Sequence, residues 1–319
     1  MRIPISLVVD DGAPVNLIHY THPQMRSEFV VPNSFTRDFA DLCIARGVKG
    51  KFSVVPMPCE LGRLDKGLNY VSRAHVAGFL KIAREKIAPR FDITPEILTH
   101  SCAYNLKSGW THHVFEDVWF ERAGLDEMTD YIALALRILK NVGLPANGVT
   151  SPWSTGITRE KAYAEAIARA QWRVHRRKFT WYFLHCLRPA TARPPWVSWR
   201  RRKTGQTVVS VPATTGDMFW PTQSRISRGA AKAAADQGAD ALLTRDGRKG
   251  QVRELFDKKV PICLLTHWQS LFSDGHAAGL AGLARVLQRI ETTFGDEVEW
   301  VTCSSLARMA LARPSGRMA

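Results

Sequence analysis

Short apolar runs of strand length alternate with longer stretches of helical periodicity along most of the chain. This alternation is typical of a parallel β-sheet whose strands are connected by crossover helices. The sequence therefore predicts an α/β fold. The predicted strands are 3–9, 50–55, 96–99, 179–184, 207–211, 261–266 and 298–302, and the predicted helices are 36–46, 75–87, 126–142, 159–171 and 279–294.

The chain of 319 residues is long enough for two average domains or for a single α/β barrel with insertions. No long linker rich in Ser, Gly or Pro divides it, and no repeat of fixed period is present. Hydrophobic residues make up 45% and charged residues 23%, which is ordinary globular usage and allows a sizeable core. We expect one domain over 1–319, lengthened by insertions near 56–95 and 186–206.

The net charge of +15 comes largely from one acid-free segment. Residues 166–216 contain no Asp or Glu but eleven Lys and Arg residues, interleaved with four Trp residues. Such a pattern can stack on nucleic-acid bases or on sugars. A solvated basic hairpin or inserted loop on an enzyme is the favoured interpretation, and a binding site for nucleic acid is the alternative. No helix-turn-helix, ribonucleoprotein or zinc-finger pattern accompanies the segment.

The six cysteines occur singly, so neither a zinc ribbon nor a redox dithiol is predicted. The apolar run over residues 1–9 is too short for the core of a signal peptide. No apolar run reaches the roughly 18 residues that a membrane-spanning helix needs. A cytoplasmic protein without a membrane segment is the expectation from these patterns.

Polar residues directly follow four apolar, strand-like runs. In parallel α/β folds the carboxyl ends of the strands line the functional pocket, so these residues are expected to meet there. Adjacent carboxylates repel unless a cation or a proton lies between them, so such a pair suits one metal ligand and one base. An Asx turn is the structural alternative for the Asp-Asp-Gly sequence. The residues concerned are Asp10 and Asp11, His100 and Ser101, Ser151 to Trp153, and His267 and Trp268.

Taken in their order along the chain, these strand-end motifs resemble those of the polysaccharide deacetylase family, carbohydrate esterase family 4. Residues 9–12 (VDDG) are similar to the opening motif of that family, and residues 51–55 to its second strand. Residues 96–101 (EILTHS) resemble the run into its His-[Ser/Thr]-x-x-His metal motif. Residues 151–153 and 265–267 occupy the places of its Arg-x-Pro-aromatic and Leu-x-His motifs. The resemblance implies an irregular (β/α)7-type barrel with inserted loops.

The resemblance also implies catalytic and metal-binding roles. Asp10 would be the general base and His267 the general acid. Asp11 and His100 would bind a divalent metal ion, which is usually zinc in the family. Such an ion polarises an acyl carbonyl and lowers the pKa of a bound water, so the implied reaction is amide hydrolysis.

Five further residues are expected to contact the substrate or to shape its pocket. Trp153 would form an aromatic wall for the C–H face of a sugar, and Ser101 would orient its loop by hydrogen bonding. The run 267–275 replaces a short loop of the family. Its Trp268, Gln269 and Asp274 are predicted to touch the substrate.

Three features depart from the family's pattern. Tyr104 occupies the position of the second metal histidine, and a phenol is a poorer zinc ligand than an imidazole. Thr150 replaces the Arg that helps to hold the catalytic Asp, and no acidic residue occurs near 179–185 to orient the catalytic His. The further metal ligand is therefore left open, although lone histidines are more often hydrogen-bonded structural residues than metal ligands. The candidates are Asn105, His19, His22, His112 and His113.

The favoured prediction is a metal-dependent hydrolase that removes an acyl group, such as acetyl, from an N-acylated substrate. That substrate would be a small molecule or an oligosaccharide. A non-catalytic barrel that binds carbohydrate is the first alternative, because the predicted metal set is incomplete. The second alternative is a binder of an anionic polymer, whose affinity would fall steeply as salt rises.

Overall fold

A computed structural model describes residues 2–18, 28–153, 155–184, 193–223 and 227–312. The strands are β1 (Ile3–Gly12), β2 (Gly50–Val54), β3 (Gly62–Arg63), β4 (Gly67–Leu68), β5 (Phe91–Pro95), β6 (Cys102–Tyr104), β7 (Thr111–Phe115), β8 (Gly148–Ser151), β9 (Phe179–Leu184), β10 (Trp196–Arg201), β11 (Gln206–Pro212), β12 (Ile262–His267) and β13 (Val298–Trp300). The α-helices are α1 (Asn33–Ala45), α2 (Arg73–Ile82), α3 (Glu116–Phe120), α4 (Leu125–Asn141), α5 (Glu160–His175), α6 (Arg228–Leu242), α7 (Gln251–Asp257), α8 (Trp268–Phe272), α9 (Ala278–Phe294) and α10 (Cys303–Ala312).

The longer strands form two sheets. The first has the order β12-β1-β2-β5, with β13 also paired to β1, and all of these pairings are parallel. The second has the order β10-β11-β9-β8, in which β10 is antiparallel to β11 and the other pairs are parallel. Two antiparallel ribbons, β3–β4 and β6–β7, lie outside these sheets. The predicted α/β class with parallel strands is therefore confirmed.

The two sheets meet between β5 and β8. Just beyond the end of β5, Glu96 forms a single parallel bridge with Thr150 of β8. At this bridge the Ile97 N–H donates to the Thr150 carbonyl at 3.3 Å. The hydroxyl groups of Thr94 and Thr150 are also hydrogen-bonded, at 2.8 Å. A local contact, not a ladder, joins the sheets at this edge.

Side-chain hydroxyls and one backbone hydrogen bond, from the Thr215 N–H to the Cys263 carbonyl at 3.3 Å, link the segment after β11 to β12. The hydroxyls of Thr214 and Thr215, which follow β11, accept hydrogen bonds from β12 backbone N–H groups, those of Cys263 at 2.7 Å and Leu265 at 3.0 Å. Neither junction carries a continuous ladder in the described ranges. The closed (β/α)7-type barrel therefore stays a prediction, and two linked parallel sheets are what the structure shows.

Alternate residues of β1 face different parts of the core. Leu7 and Val9 belong to the larger hydrophobic cluster, together with residues of the helices, whereas Val8 belongs to a second cluster. Because side chains alternate along a strand, Asp10 lies on the same side as Val8. The second cluster includes residues of both sheets and of α10. Its other members are Trp181, Phe183, Val209, Val211, Ala213, Cys263, Leu265, Val301, Cys303, Leu306 and Ala307.

Amphipathic stripes explain the helices that the sequence predicts. In α4 the apolar residues at helical spacing, from Met128 to Leu139, are buried, and Gly143 follows the helix with φ of 77°. Helix α6 is not predicted, because Leu242 is its only large apolar residue and the remainder is rich in Ala. Helices α7 and α10 are also absent from the prediction.

The strand predicted at 96–99 is wrong, because the strand β5 ends at Pro95 and the chain then turns. Positive φ angles at Ile97 (33°) and His100 (52°) mark this turn. The backbone N–H groups of residues 98 and 99 donate to the Glu116 carboxylate and not to a neighbouring strand. Strand β8 is missing from the prediction because its four residues include a single large apolar side chain, Val149.

The predicted insertions contain regular structure. The region 56–95 holds the β3–β4 ribbon, α2 and β5, and the region 186–206 holds β10. Residues 186–192 lie outside the described residues. The single-domain boundaries stay a prediction. No described helix combines the length and the apolar character needed to cross a membrane.

Candidate active site

Strand β1 ends in a tight backbone turn at Asp11. This residue has a left-handed conformation with φ of 66°, which Asp tolerates better than most residues. Its N–H donates to Ser53 Oγ at 3.0 Å and to Glu96 Oε2 at 2.5 Å. A Cβ on Gly12 would lie 2.2 Å from the Ser53 backbone oxygen, so only glycine fits there. The Asp-Asp-Gly sequence thereby fixes the end of β1 against β2 and β5.

Two carboxylates and one imidazole converge beyond the ends of β1 and β5. Asp11, Glu96 and His100 are buried, and their ligand atoms all lie within 4.8 Å of one another. His100 Nε2 is 3.1 Å from Asp11 Oδ1, and His100 Nδ1 is 3.8 Å from Glu96 Oε1. Carboxylate oxygens and an imidazole nitrogen are ligands that suit zinc and other divalent ions. This carboxylate–imidazole group therefore fits the metal that the resemblance implies.

Glu96 is the member of the group that the sequence analysis missed. It lies four residues before His100, whereas the resemblance directs attention to Tyr104, four residues after it. Tyr104 lies on β6. Its hydroxyl oxygen lies beside Gly109, in the turn between β6 and β7, at 3.5 Å from the position that a Cβ of residue 109 would take. The Glu-x-x-x-His spacing of Glu96 and His100 could have indicated a pair of metal ligands. The strand predicted at 96–99 treated Glu96 as part of a strand and so hid this spacing.

The other proposed ligands lie outside this group or outside the described residues. Asn105 Oδ1 accepts hydrogen bonds from two backbone N–H groups of its own turn, at 2.9 and 3.1 Å. His112 and His113 lie on β7 and do not belong to the carboxylate–imidazole group. His19 and His22 fall outside the described residues.

Burial raises the pKa of both carboxyl groups in the carboxylate–imidazole group. For Asp11, burial is the largest cause. For Glu96, burial together with the charges of Asp11 and Asp10 raises the pKa to about 8. Buried carboxyl groups this close to one another hold a proton unless a cation takes its place. A divalent ion would relieve the same repulsion, so the electrostatics agree with the ligand chemistry.

A buried carboxylate holds the loop that carries His100. Glu116, the first residue of α3, accepts hydrogen bonds from the backbone N–H groups of residues 98, 99 and 100 at 3.2, 2.9 and 2.9 Å. The Tyr131 hydroxyl donates to the same carboxylate at 2.6 Å. Burial raises the pKa of Glu116 to about 7, although these hydrogen bonds oppose the shift. Glu116 is a positioning residue that no strand-end pattern could reveal.

Aromatic rings flank His100 on one side. The Trp153 ring stacks on the imidazole with a centroid distance of 4.4 Å and an interplanar angle of 13°. Phe115 meets Trp153 edge-on at 5.6 Å and is 49% exposed. Trp153 therefore lies beside the carboxylate–imidazole group, where the resemblance expects a pocket wall, and Phe115 extends that aromatic surface towards solvent.

Asp10 forms an ion pair inside the protein. The Lys51 ammonium contacts Asp10 Oδ1, and both side chains are fully buried. Lys51 Nζ also lies 3.4 Å from the Val9 carbonyl oxygen and 4.7 Å from the centroid of the Phe183 ring. The cation that the sequence lacks at Thr150 is therefore supplied by Lys51 from β2. Its position inside a strand gave no sign of this role.

His267 lies opposite Asp10 in the β1–β12 register. Its Nδ1 is 2.8 Å from Asp217 Oδ2, and its backbone N–H donates to the same oxygen at 3.1 Å. Ser270 Oγ also donates to Asp217 Oδ2, at 2.5 Å. Burial alone would lower the pKa of His267, but the Asp217 hydrogen bond and the charges of Asp11, Asp217 and Asp10 raise it to about 10.

Asp217 corrects the expectation that no acid orients His267. The family resemblance implies such an acid near 179–185, at the end of β9. The structure supplies it from the segment that follows β11, where the Phe219 N–H donates to Asp217 Oδ1 at 2.8 Å. Asp217 is the first acid after the acid-free segment and lies far from His267 in the sequence. No sequence pattern therefore connects the two residues.

Two of the predicted substrate contacts are buried and form hydrogen bonds inside the protein. Trp268 is fully buried, its Nε1 donates to the Ala13 carbonyl at 3.1 Å, and three Phe rings lie around it with centroids 4.9, 5.4 and 5.2 Å away. The structure therefore places Trp268 in the core. Gln269 Nε2 donates to Asp11 Oδ2 at 2.8 Å, so Gln269 orients a member of the carboxylate–imidazole group.

The last two predicted residues hold loops through hydrogen bonds. Ser101 Oγ donates to Glu60 Oε1 at 3.0 Å, in keeping with the loop-orienting role expected for it. Asp274 Oδ1 accepts a hydrogen bond from the Glu28 N–H at 2.5 Å. Asp274 therefore links the segment after α8 to the residues that precede α1.

Comparisons by sequence find no relative of this chain. No protein-family model matches the sequence, and a search of curated proteins gives no match either. The fold, in contrast, has counterparts among solved structures.

Three solved structures align over nearly the whole chain. A Mycobacterium smegmatis protein assigned as a polysaccharide deacetylase gives a TM-score of 0.53 at 13% identity, covering 100% of this chain and 95% of its own. A GH57-type branching enzyme of Pyrococcus horikoshii gives 0.52 at 11%, covering 99% and 71%. A GH57 branching enzyme of Thermococcus kodakaraensis gives 0.50 at 13%, covering 99% and 72%. The chain therefore shares its fold with carbohydrate-active proteins.

Proposed function

We propose that this chain is a metal-dependent hydrolase that removes an acetyl group from the nitrogen of an N-acetylated carbohydrate. The observation that carries the proposal is the carboxylate–imidazole group, which lies at the same strand ends as two charged pairs, Asp10–Lys51 and His267–Asp217. The fold shared with a protein assigned as a polysaccharide deacetylase supports the same reaction class. Zinc is the metal proposed here, because carboxylates and imidazole are among its usual protein ligands.

Asp10 is the general base of the proposed reaction. Lys51 provides the buried carboxylate with a counter-charge, and the carboxylate can accept a proton from the attacking water. A divalent ion held by the carboxylate–imidazole group would act as a Lewis acid towards the acetyl carbonyl. The water oxygen bonds to the acyl carbon, and the proton that the water loses goes to Asp10.

His267 is the general acid of the proposed reaction. Because its Nδ1 faces Asp217, its Nε2 is the nitrogen that can serve the leaving group. A pKa of about 10 keeps the imidazole protonated near neutral pH. Its proton goes to the amide nitrogen as the carbon–nitrogen bond breaks, and the products are acetate and a free amine. Glu116, Gln269 and Asp217 are positioning residues in this scheme.

The test combines metal content with turnover. Purified protein, stripped with a chelator and reloaded with zinc, is incubated with N-acetylglucosamine oligosaccharides, and released acetate is measured. We expect one zinc per chain and acetate release that chelation abolishes. The Asp10→Asn variant should retain zinc and lose activity, whereas Glu96→Gln should bind zinc more weakly and lose activity.

The control variant is Glu291→Gln, which makes the same chemical change on an exposed side chain. It should match the unaltered protein in both zinc content and turnover. Absence of zinc binding at micromolar concentration would overturn the metal site. Zinc binding without turnover of any N-acetylated sugar would instead favour the non-catalytic carbohydrate binder.

A further inference from the structure

A cavity lies at the end of the sheets opposite the carboxylate–imidazole group. It has a volume of about 310 Å³ and is bordered by Asn147 before β8, by residues at the start of β9, and by Ser304 and Arg308 of α10. Strands β8 and β9 are parallel to each other, and the β5–β8 bridge is also parallel. Their amino ends therefore lie away from the carboxyl ends where the candidate active site is found.

Three cations surround this basic cavity. Arg177, Lys178 and Arg308 border it, and across the described ranges none of them forms an ion pair with a carboxylate. The Arg308 guanidinium carbon lies 4.8 Å from the centroid of the Phe179 ring, so the aromatic face supports this side chain. Arg176, with φ of 56°, ends α5 and turns the chain so that Arg177 and Lys178 precede β9 directly.

The acid beside the basic cavity is already engaged. Asp92 on β5 accepts hydrogen bonds from Asn147 Nδ2 at 2.6 Å, from the Ser304 N–H at 2.6 Å and from Ser304 Oγ at 3.0 Å. These contacts hold the cavity wall together. One carboxylate charge is set against three cationic side chains, so the cavity retains excess positive charge.

Burial, together with neighbouring positive charge, lowers the pKa of two groups beside the basic cavity. Burial, followed by the charges of Arg177 and Lys140, lowers the pKa of His175 to about 4. The pKa of Arg177 itself is lowered, because burial and the charge of Arg308 outweigh the charge of Asp92. An anion entering the basic cavity would offset both effects.

We propose that the basic cavity binds the phosphate group of a small phosphorylated molecule. Near pH 7 a phosphate monoester carries roughly two negative charges and presents three acceptor oxygens. That chemistry suits two guanidinium groups and an ammonium better than the single charge of a carboxylate does. The volume of about 310 Å³ suits a small molecule, whereas a nucleic-acid strand is bound along an extended basic groove. The site thereby gives a role to part of the acid-free segment.

Isothermal titration of the full chain with inorganic phosphate, glucose 6-phosphate and glucose tests this proposal. We expect saturable binding of the two phosphates and none of glucose. Tighter binding of glucose 6-phosphate than of phosphate identifies an ester site, and equal affinities identify a site for the free anion. The Arg177→Gln and Arg308→Gln variants should each weaken phosphate binding about tenfold.

Arg245→Gln is the matched control, because it removes one positive charge from an exposed side chain elsewhere on the chain. Its phosphate affinity should be unchanged. The exposed Lys178→Gln variant provides a second test should Arg177→Gln fold poorly. The proposal is overturned if Arg245→Gln weakens binding as much as Arg177→Gln does. It is also overturned if the chain binds a single-stranded oligonucleotide through these residues but not phosphate.

Discussion

Glu96 contributes the second carboxylate of the carboxylate–imidazole group, and its replacement tests that group directly. Glu96→Gln keeps the size of the side chain and an oxygen that can accept from Ser53 and Asp11, but it removes the negative charge. We expect zinc affinity to fall by at least about tenfold, because a neutral amide is a poorer zinc ligand than a carboxylate. Competition with a chromogenic chelator measures this affinity, with Glu291→Gln as control. Equal affinities for Glu96→Gln and the unaltered chain would remove Glu96 from the site.

The Asp10–Lys51 pair gives a prediction about stability. Lys51→Met leaves the buried carboxylate of Asp10 without its cation, so we expect a loss of about 3–5 kcal/mol in the free energy of unfolding. Urea denaturation measures this loss. The double variant Lys51→Met with Asp10→Asn should recover most of it, because no uncompensated charge then remains. A double variant no more stable than Lys51→Met alone would show that packing, not charge, causes the loss.

Individual site residues differ in how far the sequence reveals them. Asp10, Asp11, His100 and His267 are found from the sequence because each directly follows an apolar run. The residues that position them lie elsewhere, and only the fold brings them close. Lys51 lies inside a strand, and the remaining partners are distant in sequence, such as Asp217, which is 50 residues from His267.

Among the structural elements, β12 is linked to the segment after β11 through His267 and Asp217, and this link predicts a pH dependence. The pKa of His267 is raised from 6.5 to about 10, so the imidazolium contributes stability fully below pH 6.5. This contribution is lost as the pH rises through about 10. Asp217→Asn removes the main stabilising partner and should lower the pKa of His267 by more than about one unit.

Two measurements check the link between β12 and the segment after β11. An NMR titration of the His267 ring, assigned with His267→Gln, gives the pKa in each variant. Urea denaturation gives the free energy of unfolding at about pH 7 and about pH 10. The decrease in this free energy from the lower to the higher pH should be smaller in Asp217→Asn than in the unaltered chain. An unchanged ring pKa in Asp217→Asn would contradict the assignment of Asp217 as the partner.

Elements with a clear apolar stripe or run are the ones that the sequence predicts. Helix α4 and strand β1 are examples, because their burial follows from residue spacing alone. The turn after β5 is not predictable in this way, since it depends on a carboxylate from α3 that accepts from three successive backbone N–H groups. The Thr214 and Thr215 hydroxyls that join β11 to β12 belong to the same class of long-range contact.

The whole molecule presents two candidate sites at opposite ends of its sheets, one suited to a cation and one to an anion. The composition shows the net charge of +15, and the sequence places most of that excess in an acid-free segment. The fold places different parts of that segment in different surroundings. Strands β9 and β11 are buried, strand β10 is partly exposed, and other residues of the segment border the basic cavity. The overall charge is therefore not a guide to one single partner.

Independent sites should stabilise the molecule additively. At one hundred times its Kd, each ligand adds about 2.7 kcal/mol to the free energy of unfolding, so zinc and glucose 6-phosphate together should add about 5.4 kcal/mol. Distant sites without shared partners deviate from such a sum by less than about 0.5 kcal/mol. Urea denaturation with neither, either and both ligands measures the two increments.

Variants assign each increment to its site. Glu96→Gln should lower the zinc increment and leave that of glucose 6-phosphate unchanged, whereas Arg177→Gln should lower only the increment of glucose 6-phosphate. Because a phosphate group can also ligate zinc, the decisive comparison is glucose 6-phosphate without zinc. If Glu96→Gln removes the increment under that condition, the anion binds at the carboxylate–imidazole group, and the two ends of the molecule do not act as separate sites.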